Sequence, residues 1–160
     1  MNAVDPNAAS FTQILFCTDF SENADFAFSF ALDAATRRPG SRLHLLHVVP
    51  ESDAQFWKTY IYEVEDVDAK ARHDVDERIE TYRARVPAGQ AFHVEIRIGK
   101  DYQEILDFAR AQQIDLIVMG RQGRGALQKA LFGNVTEKVV RRADCAVLVV
   151  PLSYRKRRTP

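Results

Sequence analysis

The chain predicts an α/β fold, an open parallel sheet of five strands with helices on both faces. Three observations carry that reading. Strand-like and helix-like segments alternate from end to end, the pattern of strand–helix–strand crossovers of right-handed sense. Leu116 to Met119 is a short unbroken apolar run, as expected of a strand covered on both sides. Val64, Val67, Ala71, Val75, Ile79, Tyr82 and Val86 step by three and four, one apolar stripe on a helix whose remaining face is densely charged.

Taken in order, residues 1–10 read as a flexible leader, 11–152 as one domain and 153–160 as a basic tail. Phe11 to Thr18 predicts the first strand, with Asp19 at its end. Ser21 then precedes a helix from about Glu22 to Arg37, with Glu22 and Asp25 in its first turn, where acidic groups suit the helix dipole. Phe26 and Phe30, and Ala27 and Ala31, lie one turn apart and imply heavy burial; Pro39-Gly40 stops the helix. Leu43 to Val49 predicts the second strand, closed by Pro50. His44 and His47 fall on its opposite faces, so they do not form a metal pair.

The stretch from Glu51 to Glu65 has little periodicity and holds Phe56, Trp57, Tyr60 and Tyr62; it reads as an aromatic cap on the core or as a flap or partner surface. The striped helix follows, from about Val64 to Arg85. Ala91 to Ile98 alternates, Phe92, Val94, Ile96 and Ile98 against His93, Glu95 and Arg97, which predicts an edge strand with one wetter side. A short helix from about Tyr102 to Gln112 comes next. After the Leu116–Met119 strand, Ala126 to Phe132 predicts a helical turn or two. Asn134, a preferred N-cap, is followed three residues on by Glu137, which predicts a helix from Asn134 to about Arg142. Ala146 to Val150 is a final apolar strand with no later crossover to cover its edge, an invitation to pair with another chain.

The bulk numbers exclude several classes. With 160 residues, 46% apolar and 28% charged, the chain is an ordinary globular domain. Twenty-two basic residues balance 22 acidic ones, which gives no general push toward nucleic acid or anionic membrane. The tail's Arg155, Lys156, Arg157 and Arg158 read either as a phosphate contact or as a solubilising terminus. No apolar run approaches the roughly 20 residues that span a bilayer. Residues 1–10 carry no secretory pattern, and Cys17 and Cys145 stand far apart, as for reduced thiols in a cytoplasm.

Chemistry gathers after the fourth strand. Gly120, Gly123 and Gly125 let another molecule approach the backbone closely. Arg121, Arg124 and Lys129 add positive charge, and the helix beginning near Asn134 offers unpaired amides at its positive end. The alternatives are a phosphate cradle and a plain strand–loop–helix connection. The spacing is neither that of a P-loop nor that of the dinucleotide fingerprint.

Gly120-x-x-Gly123, nine residues and then Gly133 resembles the nucleotide-binding signature G-x2-G-x9-G-(S/T) of the universal stress protein family. The resemblance extends from Ile14-Leu15-Phe16-Cys17-Thr18-Asp19 to Val147-Leu148-Val149-Val150-Pro151, with one departure: Asn134 replaces the final Ser/Thr. It implies the strand order 3-2-1-4-5, which puts the ends of strands 1 and 4 on either side of a topological switch point where ligands bind. It further implies an ATP-binding regulator or sensor, with AMP or another adenine nucleotide as alternatives, acting in the cytoplasm as a homodimer through Ala146 to Val150 together with an unidentified protein partner. On that resemblance Gly120, Gly123, Gly133, Asn134 and Val135 meet the phosphates and Arg121 or Arg124 neutralises them. Asp19 accepts from ribose or adenine, or else serves its helix; Cys17, Thr18 and Val49 line the base pocket, and Met119 packs on the sugar or base. Mg2+ rides on the phosphates, because no protein ligand cluster is evident. No nucleophile–base set is arranged by spacing. The other expectations are a slow ATP-hydrolysing or adenylate-transferring enzyme of this fold, and an interaction module that has lost its nucleotide.

Overall fold

A computed structural model describes residues 10–51, 53, 65–121 and 133–154, and the side chains of 65–72 lie outside that description. Also outside it fall the leader, the aromatic stretch with Phe56, Trp57, Tyr60 and Tyr62, residues 122–132 with Gly123, Arg124, Gly125 and Lys129, and the arginines of the tail.

Five strands form one sheet: β1 (Gln13–Cys17), β2 (Arg42–Pro50), β3 (Ala91–Gly99), β4 (Leu116–Gly120) and β5 (Ala146–Val150). All neighbours are parallel, in the order β3-β2-β1-β4-β5. The helices are α1 (Glu22–Thr36), α2 (Glu65–Arg83), α3 (Asp101–Ala111) and α4 (Asn134–Arg142).

The period of two along each strand divides the core into two layers. Ile14 and Phe16 of β1 pack with Leu43, Leu45 and Val118 under α1 and, through Tyr82, α2. Leu15 and Cys17 point the other way and pack with Ile117, Met119 and the α3 residues Ile105, Leu106 and Phe108, with Val139 of α4. Phe28, Ala27 and Ala31 are the buried stripe of α1. Phe26 and Phe30 sit half-buried beside it, edge to face at 5.5 Å, and both rings meet Tyr154. Asp115 ties the start of β4 to β1, its carboxylate accepting from the Thr12 and Gln13 amides.

Two local expectations are corrected. β3 is an edge strand, but its apolar face does not pack throughout. Phe92 and Val94 rest on the α1–α2 core, while Ile96 and Ile98 are 45% and 58% exposed. The N-cap of α4 is Gly133, not Asn134. Gly133 keeps extended backbone, its carbonyl accepts the first helical bond from Glu137 at 3.0 Å, and no side chain caps the helix. The carbonyl that accepts the first helical bond defines the position, and it is that of Gly133. The Gly133 amide donates to the Arg121 carbonyl at 2.9 Å, which ties the helix start to the end of β4.

Candidate functional site

The strand order reverses between β1 and β4, and their carboxyl ends flank the switch point at which open parallel sheets form a crevice. On the β1 side Cys17 is buried, and burial raises its thiol well above the usual range, so it stays a neutral core group. Thr18 is buried as well. Its hydroxyl meets the Tyr82 hydroxyl at 2.9 Å and accepts from the Phe20 amide at 3.0 Å. Asp19 is half-buried, and its Oδ1 accepts from the Ser21 amide at 3.0 Å; Ser21 in turn caps α1 by accepting from Ala24. The helix-serving role is therefore present in Asp19, and it occupies one carboxylate oxygen.

On the β4 side Met119 is buried in the α3–α4 layer. Gly120 has a packing reason to be glycine. A Cβ there would fall 2.9 Å from the carbonyl carbon of Asn23 and 3.0 Å from its oxygen and Cβ, so β4 ends in contact with the first turn of α1. The Arg121 amide donates to Val150 across the sheet at 3.0 Å, and its carbonyl receives Gly133. Gly120 and Gly133 thus each spend a constraint on the protein itself, while Gly123 and Arg124 lie in the undescribed span between them.

What α4 leaves open is the run of amides at Asn134, Val135 and Thr136, which precede its first intrahelical bond. The Arg121 side chain belongs to the same end of β4. Its Nε is buried and has no hydrogen-bond partner among the described residues. A guanidinium donor left unpaired away from water is costly unless something arrives to accept from it.

Further carboxylates gather near Asp19. Burial raises the Asp101 carboxyl at the start of α3; its own amide pulls it back, the charges of Asp53 and Asp19 push it further up, and His47 lowers it. Val49, half-buried on β2, pairs with Ile98. Among the described residues no group of three acidic, histidine or cysteine side chains could hold a metal ion, and none of the helices is long and apolar enough to cross a membrane.

Three residues belong to this region that the sequence reading did not place there. His47 faces the crevice side of β2, where its Nδ1 donates to the Thr18 carbonyl at 2.9 Å and its ring lies 4.4 Å from that of Phe20. Phe20 has a φ of +61°, left-handed backbone for an aromatic residue. Thr136 is buried and donates to the Gly120 carbonyl at 3.1 Å, tying α4 to β4. Spacing alone signals none of the three. His44, by contrast, faces the other layer against Phe108, its Nε2 donating to Gln13.

The profile of the universal stress protein family matches residues 10–151. The chain belongs to the universal stress protein family. Its relatives include the universal stress protein MJ0577 of Methanocaldococcus jannaschii, 28% identical over 156 residues that cover 88% of this chain and 94% of that protein. In solved structures the fold matches MJ0577 with a TM-score of 0.72 at 27% identity, over 89% of this chain and 96% of the other. UspA from Lactobacillus plantarum matches with a TM-score of 0.72 at 31% identity, over 89% and 99%. The fold also matches the universal stress protein from Archaeoglobus fulgidus solved in complex with dAMP, with a TM-score of 0.60 at 19% identity, over 88% and 98%.

Proposed function

We propose that this universal stress protein is a nucleotide-dependent regulator or sensor that binds an adenine nucleotide, with ATP the first candidate, in the crevice between β1 and β4. The observation that carries the reading is the unpartnered Arg121 Nε beside the open amides of Asn134, Val135 and Thr136. Together they form a donor-rich, positively polarised end with no acceptor among the described residues, the complement of a phosphate. The carboxylate of Asp19, at the end of the neighbouring strand β1, complements sugar hydroxyls or an exocyclic amine. A relative of the same fold holds dAMP, which supports the ligand class.

On this reading Arg121 neutralises phosphate charge, Val135 joins Asn134 at the helix start, and Gly123 and Arg124 extend the cradle from residues 122–132. Cys17, Thr18 and Val49 wall the base side, and Met119 supports the sugar from below. Gly120 and Gly133 shape the cradle through the protein contacts described above. Mg2+ would be held by the phosphates and would neutralise their charge. Thr18 and Thr136 have their hydroxyls committed to the protein, which favours a binder over a catalyst.

The assembly we infer is a cytoplasmic homodimer through β5. That strand is the free edge of the sheet next to β4, and Leu148 on it is 38% exposed. A protein partner would read the bound state.

Calorimetric titration of the purified protein with ATP and Mg2+, beside Gly123→Ala and with any nucleotide released on denaturation identified, tests the reading. Binding in the parent that the variant loses supports it. An absence of both binding and carried nucleotide sinks it and points to a protein-interaction module.

A further inference from the structure

Tyr82 belongs to α2, outside the crevice, yet it is 2% exposed and its hydroxyl bridges the crevice turn at Thr18 and the start of α1 at Asp25. Its ring lies 5.3 Å from Phe16 and 4.8 Å from Phe28, which fixes it in the core. Its hydroxyl donates to the Asp25 carboxylate. A carboxylate only accepts, so the single phenolic proton is used there. The Thr18 hydroxyl must then donate to the Tyr82 oxygen, and the Thr18 oxygen accepts from the Phe20 amide. Every proton in the chain is assigned: Phe20 N–H to Thr18, Thr18 O–H to Tyr82, Tyr82 O–H to Asp25.

The residue enclosed by that chain is Asp19. Phe20, next to it, takes a left-handed backbone that an aromatic residue keeps only where its surroundings hold it. The surroundings are α2 and β2. The Phe20 ring lies against Tyr82 at 6.3 Å and His47 at 4.4 Å, with the Arg78 guanidinium 5.6 Å above it, and His47 fixes the Thr18 carbonyl.

We propose that Tyr82 is a positioning residue of the crevice: its hydroxyl, through Thr18, holds the turn at Phe20 in the form that presents Asp19, so that α2 sets ligand affinity from outside the site. The inference rests on the nucleotide reading for its effect on affinity, but its effect on the turn stands apart from any ligand.

Tyr82→Phe is the test, since it keeps the ring and removes only the hydroxyl. Amide hydrogen exchange is followed by NMR at Phe20 and Ser21, relative to Leu15 in the core, alongside calorimetry with ATP and Mg2+. Ile79→Val, also buried on α2, lowers stability without touching the polar chain and serves as the control. The expected result is at least tenfold faster exchange at Phe20 and Ser21 relative to Leu15, and a Kd for ATP raised about five- to twentyfold, neither seen in Ile79→Val. Thr18→Val, which cuts the chain at its middle link, should reproduce both effects. Unchanged relative exchange at Phe20 overturns the proposal whether or not ATP binds. Faster exchange with an unchanged Kd overturns control of affinity while leaving the nucleotide reading intact. A parent that binds no ATP is a failure of that reading, and exchange then decides the role of Tyr82 in the turn.

Discussion

The end of β4 and the first turn of α1 touch through Gly120 and Asn23, so closely that a Cβ on Gly120 would stand 2.9 Å from the Asn23 carbonyl carbon. That contact is backbone against backbone and cannot yield by a rotamer change. Gly120→Ala is expected to destabilise the protein by about 1–3 kcal/mol, the usual penalty for overpacking. Asn23→Ala should not rescue it, because the carbonyl group and Cβ remain. Denaturant unfolding of the single and double variants measures both; an unchanged midpoint in Gly120→Ala would refute the packing role.

Arg121 should behave oppositely in stability and in binding. Its buried Nε lacks an acceptor among the described residues, so Arg121→Met removes an unsatisfied donor and is expected to leave stability unchanged or slightly higher. Nucleotide affinity should fall about 10- to 150-fold, the equivalent of the 1.5–3 kcal/mol typical of a hydrogen bond to a charged group. Calorimetry and thermal unfolding on one preparation separate the two effects. A large loss of stability with unchanged binding would make Arg121 structural.

His44 predicts a pH dependence. It is 5% exposed between Gln13, His93 and Phe108, and burial, then the neighbouring His93 and Arg42, hold its pKa below the ordinary value of 6.5. The unfolded chain therefore takes up a proton that the folded chain refuses. Stability is fully present above about pH 6.5 and falls as pH drops below it, with a slope of up to about 1.4 kcal/mol per pH unit from this group. His44→Phe should flatten that part of the profile. Urea midpoints between pH 7.5 and 5 in parent and variant check the sign.

Leu148 is the exposed apolar residue on the β5 edge. A charge there should prevent strand pairing between chains. Leu148→Lys is expected to convert a dimer into a monomer without loss of secondary structure, as read by sedimentation velocity and circular dichroism. A monomeric parent, or a dimer that survives the substitution, would remove β5 from the interface.

Much of the fold is legible in the sequence because its signals are local. The apolar run of β4 and the alternation of β3 each report a burial pattern, and β3 does lie at an edge. What escapes is whatever depends on contacts far along the chain. Capping preferences favour Asn134, but the Gly133 carbonyl accepts the first helical bond, and the Gly133 amide is tied to Arg121, 12 positions back. Gly120 reads as space for a ligand, and Asn23, 97 positions away, fills the space. Thr18 reads as a pocket wall, and its hydroxyl is taken by Tyr82, 64 positions on. Asp19, Arg121 and the start of α4 are brought to one crevice because strand order alone places them there.

The bond from the Gly133 amide to the Arg121 carbonyl has a consequence for how this family can diversify. It joins the two residues that flank an eleven-residue span, while the register of β4 is held by its pairing with β1 and β5. Loop closure grows only slowly in cost with length. Transplanting residues 122–132 from another family member should therefore leave the pairing of β1, β4 and β5 intact, and on the proposed nucleotide reading it should alter ligand preference.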